Sequence, residues 1–124
     1  MFTHTIIDSY TDDAGSAFNA SNKFTGQTEA AYDGTIAANA TDSYIDIAWP
    51  TTGAQSLCLW SDTNLTVKTN SSTAPVQTIA LLANVPLEWG TGMGTNPITS
   101  AVTSLYVTNA TANPAKFKVR ALSA

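Results

Sequence analysis

The chain has 124 residues, 44% of them hydrophobic and only 11% charged, with a formal net charge of −4. That length suits one domain able to bury a core without disulfide or metal staples, and the apolar content excludes a compositionally disordered chain. Five basic residues against nine acids argue against general nucleic-acid binding, which rewards clustered Lys and Arg.

The N-terminal stretch MFTHTIIDSYTDDAG has neither a basic leader nor a long apolar centre, so no signal peptide is expected. FTHTIIDSY reads as a strand. TDDAGSAFNASNKFTGQTEAA carries small polar residues with weak periodicity, and residues 1–30 are therefore expected to form an extended arm or long loop, ordered by contact with a neighbour. Residues 31–124 are expected to form the folded domain. YDGTIAANAT contains a turn and a short strand.

From residue 43 the period is two. SYIDIAW places Ile45, Ile47 and Trp49 on one face, and PTTG then breaks the strand. In QSLCLW, Leu57 and Leu59 face one way and Cys58 and Trp60 the other. SDTN turns into LTVKT, with Leu65 and Val67 inward. VQTIALLANV alternates less and reads as a strand buried on both faces. PLEW is a brief extended piece before the glycine-rich loop GTGMGTNP. TSLYVTN and AKFKVRAL close the chain, with Pro114 just ahead of the last strand. Seven or eight strands at intervals of about ten residues predict an all-β domain, a β-sandwich or jelly roll, with Ile45, Ile47, Leu57, Leu59, Leu65, Val67, Leu105, Val107, Phe117 and Val119 in its core.

Converging catalytic groups are scarce. His4 is the one histidine and stands near the terminus, where a general base needs an orienting partner. Cys58, the one cysteine, allows no intrachain disulfide or cysteine metal cluster, and a strand thiol behaves as a small hydrophobe in a reducing compartment. GTGMGTNP lacks the lysine and the following helix of a phosphate-binding loop, although Met93 at its tip is an adaptable apolar contact. Asp8, Asp12 and Asp13 cluster without the spacing of a calcium loop. Asn19, Asn39, Asn64, Asn70 and Asn109 head Asn-X-Ser/Thr triplets, read here as the Asn and Thr of turns and strand edges. No catalytic, cofactor-binding or metal site is expected.

Charge is segregated: eight of the nine acids precede residue 63, and four of the five bases follow it. Three of those bases, Lys116, Lys118 and Arg120, alternate with Phe117 and Val119 on the last strand. They form an outward basic stripe, either a solvated strand face or a contact for an acidic surface on another copy or subunit.

The segment of about residues 55–122 resembles small tailed-phage virion proteins, above all capsid decoration or cement proteins. Three features carry the likeness: the strand pair with SD, TVKTNS and a later Pro; PLEW followed by a glycine loop; and the closing LYVTN and FKVRAL hairpin. The resemblance implies a non-enzymatic β-sandwich that binds and stabilises the capsid surface of the virion after synthesis in the host cytoplasm. Implied partners are the major capsid protein or other virion proteins and further copies of the chain, with a trimer favoured, and neither nucleic acid nor membrane. A tail or fibre component, or a carbohydrate-binding or adhesin-type module using Trp60 or Trp89, is the alternative. Interface candidates are Lys116, Lys118, Arg120 and Met93.

Overall fold

The computed structural model describes all 124 residues. It contains ten strands and no helix: β1 (Phe2–Thr11), β2 (Ala17–Gly26), β3 (Thr28–Ile36), β4 (Ser43–Ile45), β5 (Ala54–Ser61), β6 (Leu65–Thr69), β7 (Thr78–Leu81), β8 (Leu87–Gly90), β9 (Leu105–Thr108) and β10 (Ala115–Ser123). Every pairing between them is antiparallel. The chain is therefore all-β: eight strands, β3 to β10, where a domain of seven or eight was expected, and two more, β1 and β2, in the stretch expected to be an arm.

Strands β3 to β10 make two four-stranded sheets, in the orders β3-β10-β5-β8 and β4-β9-β6-β7. Their pairing runs from the outside of the sequence inward: β3 with β10, β4 with β9, β5 with β8, and β6 with β7. Two further ladders, β10 with β5 and β9 with β6, complete the sheets. One hydrophobic cluster of 18 residues draws on both sheets. All ten residues expected in the core are buried in it, because period-two alternation fixes which side of a strand meets apolar neighbours. Ile36, Trp49, Leu81, Trp89, Ile98, Val102, Ala115 and Ala121 complete it.

The apolar run from Val76 to Val85 departs from expectation. Only Thr78–Leu81 is strand, on the edge of its sheet, and Val76, Leu82 and Val85 are exposed. Within the strand Thr78 and Ala80 face solvent while Ile79 and Leu81 turn inward, so only one face is covered, and the three exposed residues lie outside it.

Polar residues lock the connections. Asn109 is fully buried; its Nδ2 donates to the carbonyls of Ile36, Ala37 and Asn113, and its Oδ1 accepts from the N–H and hydroxyl of Thr111. Asn39 and Asn70 take positive φ, 57° and 71°, a conformation that Asn tolerates at turns. Three of the five Asn-X-Ser/Thr asparagines, Asn39, Asn70 and Asn109, thus shape connections between strands, whereas Asn19 lies within β2.

Residues 1–30 differ most from expectation. They hold the β1–β2 hairpin, with ten paired positions from Phe2–Gly26 to Thr11–Ala17, and the start of β3. Its periodicity escapes sequence reading because only its base is buried. Ile6 and Phe24 form a separate three-residue cluster with Leu122 of β10, whereas every residue from Ile7 to Asn19 is exposed. A strand pair wet on both faces needs no apolar alternation.

Candidate functional site

Residues facing out from the β3-β10-β5-β8 sheet follow from its register. Opposed residues share a face, so the partners of the buried Phe117, Val119 and Ala121 point inward and those of Lys116, Lys118, Arg120 and Leu122 point outward. One outward row runs Glu29, Leu122, Ser56, Gly90 across all four strands. The next holds Ala31, Arg120, Cys58 and Glu88, and a third holds Asp33, Lys118 and Trp60.

The hairpin lies along the first row, across the strands of the sheet. Gly26 abuts Leu122 and the Ser123 carbonyl, and Phe24 lies so close over Gly90 that a Cβ there would enter its ring. Only glycine permits either approach. His4 bridges the row: Nδ1 and the Ser56 hydroxyl are 2.7 Å apart, and Nε2 and the Glu29 carboxylate 2.5 Å. The partners that a histidine near the terminus needs are thus present, since β3 and β5 each supply one. The chain Ser56–His4–Glu29 has the order of a nucleophile relay. However, Ser56 is 3% exposed and sits on an inner strand whose backbone amides serve the sheet ladders. The two contacts fasten β1 to the body.

His4 and Ser56 of the clamp also line a cleft of about 340 Å³ between β1 and the second outward row, together with Ile6, Cys58, Glu88 and Arg120. Burial first, then the Glu88 carboxylate, pushes the Cys58 thiol up, so it is a weak nucleophile. Burial, and next the Asp8 carboxylate reaching from the hairpin, raises Glu88. The hairpin therefore brings one acid towards another as it leaves the body past β8.

The basic stripe splits. Arg120 Nη2 donates to Asp33 Oδ2 at 2.5 Å, and Nη1 donates to the carbonyls of Tyr32 and Val119. This hydrogen bond, with the guanidinium charge, holds Asp33 below the usual carboxylate range, and the same bond raises Arg120. Lys116 and Lys118 point outward, exposed and without an ion pair, Lys118 directly opposite the half-buried Trp60. Trp89, by contrast, is a core residue that donates from Nε1 to the Gly94 carbonyl, leaving Met93 exposed at the tip of that glycine loop.

The tip acids are not gathered around a common point. Asp12 Oδ1 accepts the N–H groups of Ala14 and Ser16 and so shapes the hairpin turn, while Asp8 stands on β1. No group of three or more potential metal-ligating side chains occurs in the fold. Beyond Asp8, on the face that carries His4 and Ile6, Tyr10 and Phe18 stack at 5.4 Å with their rings 14° apart. They are 48% and 57% exposed. Sequence reading missed this pair: the two residues are eight positions apart, and only the hairpin register unites them.

Known protein families, curated protein sequences and solved structures yield no match to this chain.

Proposed function

We propose that the chain is a non-enzymatic structural protein of a tailed-phage virion that binds and stabilises the capsid surface as a head decoration or cement protein. The body is inferred to be a jelly-roll β-sandwich. Support for that finer fold comes from the outside-in pairing of β3 with β10 through β6 with β7, the pattern of one long antiparallel ribbon rolled into two sheets. Viral capsid domains use jelly rolls, and so do lectins, so the architecture alone does not choose between them.

The observation that carries the functional reading is the overhanging hairpin. A ladder of ten pairs leaves Ile7, Tyr10 and Phe18 exposed beyond the body. A two-stranded ribbon is marginal in water by itself, and such a surface suits burial in an assembly. The low charge of the chain limits repulsion between closely packed copies, and a repeating lattice adds modest contacts into firm retention. The resemblance of about residues 55–122 to decoration proteins points the same way.

The test is mass spectrometry of virions made by the genome that encodes the chain, with rebinding of the purified protein to heads and to tails. Many copies per head and saturable rebinding to heads are expected. Retention on tails alone makes the chain a tail or fibre component. Absence from virions, with glycan capture that Trp60→Ala abolishes, makes it a carbohydrate-binding module.

A further inference from the structure

We propose that the hairpin overhang of one copy docks on the uncovered part of the outer sheet face of a second copy, placing Tyr10 and Phe18 against Trp60 and the tip carboxylates over Lys116 and Lys118. The proposal rests on the assembly reading above in that the chain works in many copies.

Shape and charge both select this occupant. The hairpin covers the row from Glu29 to Gly90 of its own sheet and leaves Trp60, Lys118 and Lys116 open. Its outer half carries three acids, Asp8 on the face of the exposed aromatic pair and Asp12 and Asp13 in the turn beyond it. Lys23, the hairpin's one base, lies on the opposite face, paired with Thr5. On the receiving surface Arg120 pairs with Asp33, and Asp62 lends one oxygen to the backbone N–H of Lys116; neither lysine ammonium forms an ion pair, and Lys118 stands between Asp33 and the Trp60 indole. Stacked rings on Trp60 would bury apolar area, and lysines flanking the contact would meet carboxylates.

Other homotypic contacts fit less well. Tip against tip would confront six carboxylates, three from each copy. The exposed Tyr44, tilted 56° against Tyr106 on the other sheet, has Lys68 opposite Tyr106, and that ammonium is committed to Asp42 and the Ser72 carbonyl. Donor and receiver are different patches, so copies exchange hairpins across a twofold axis or pass them round a ring.

Sedimentation velocity of the full chain, from micromolar to millimolar concentration and at low and high salt, tests the contact. The parent should self-associate, more weakly in high salt. Three double variants are compared: Tyr10→Ser with Phe18→Ser, Asp8→Lys with Asp13→Lys, and Lys116→Glu with Lys118→Glu. Asp12 is kept because it shapes the turn. Each should weaken association by about tenfold or more while keeping the parent's melting temperature, because every altered side chain is exposed. Mixing the second and third variants pairs a basic tip with an acidic face and the reverse, and should restore association to within about threefold of the parent. A parent that stays monomeric throughout overturns the proposal, as does a charge-swapped mixture no tighter than its components. A monomeric parent that is nonetheless abundant on virions rejects this contact and leaves the virion role standing, whereas self-association by a protein absent from virions does the opposite.

Discussion

The two-sheet body and the β1–β2 hairpin are built from the same antiparallel ladders, yet the body shares a core of 18 buried residues, whereas the hairpin sets only Ile6 and Phe24 against Leu122 of β10. Strand pairing alone does not separate them. Burial does: backbone hydrogen bonds in a wet ladder contribute little net free energy, and what holds an element in place is the apolar area it hides. The hairpin is thus tethered at its base by Ile6, Phe24 and the His4 clamp, and its outer half depends on whatever it meets.

Substitutions that strike the shared core should have the largest effect. Val107 is fully buried on β9, opposite Val67 and Ser43. Val107→Asp buries an unpaired carboxylate and should cost at least about 4 kcal/mol, abolishing cooperative unfolding by circular dichroism. A soluble variant with the parent's melting curve would place β9 outside the core. Asn109→Ala comes next. Three backbone carbonyls lose their shared donor, so a loss of about 2–4 kcal/mol is expected in urea unfolding.

In the hairpin the same kind of change should stay local. Phe24→Ala removes the ring seated over Gly90 and should weaken docking by about 2–4 kcal/mol, while the body's melting temperature shifts little. Gly90→Ala pushes on that ring from below and should reproduce the effect. The readout is faster proteolysis within residues 1–27 with the remainder resistant. If either change unfolds the whole protein together, the hairpin belongs to the body's cooperative unit.

The smallest expected effect is a pH dependence. Glu88 has a raised pKa in the folded protein, through burial and then Asp8, so folding favours its protonated form. Its contribution is present below the ordinary glutamate value and lost as pH rises through the folded value, which leaves the ionised Glu88 mildly unfavourable at neutral pH. Glu88→Gln should therefore slow proteolysis of the hairpin slightly at neutral pH and flatten the change between acid and neutral conditions. Asp33 has the opposite sign: Arg120 depresses it, and its contribution is present above the ordinary aspartate value and lost as pH falls through the folded one.

What could be read from the sequence follows the same division. Leu57, Leu59, Val67, Val107, Phe117 and Val119 were legible because burial on one side imposes a strict period. β2 was not, since Ala17 to Lys23 carries no buried residue and its strand form comes from pairing with β1. The basic stripe was visible on β10, but the capture of Arg120 by Asp33 depends on β3 lying alongside, 87 positions away in sequence. The His4 clamp was hidden for the same reason, since Ser56 and Glu29 come from strands far from it in the chain. Long-range register, which no local pattern encodes, decides both.

Hydrogen exchange on the isolated protein tests most directly whether the hairpin is a tethered element completed by assembly. Amides of β5, β9 and β10 should exchange only through global unfolding, those near Ile6 and Phe24 through a cheaper opening, and those from Ile7 to Asn19 fastest among the strands, gaining protection when copies associate. Protection of residues 7–19 equal to that of β10 in the monomer, or unchanged on association, would contradict the account.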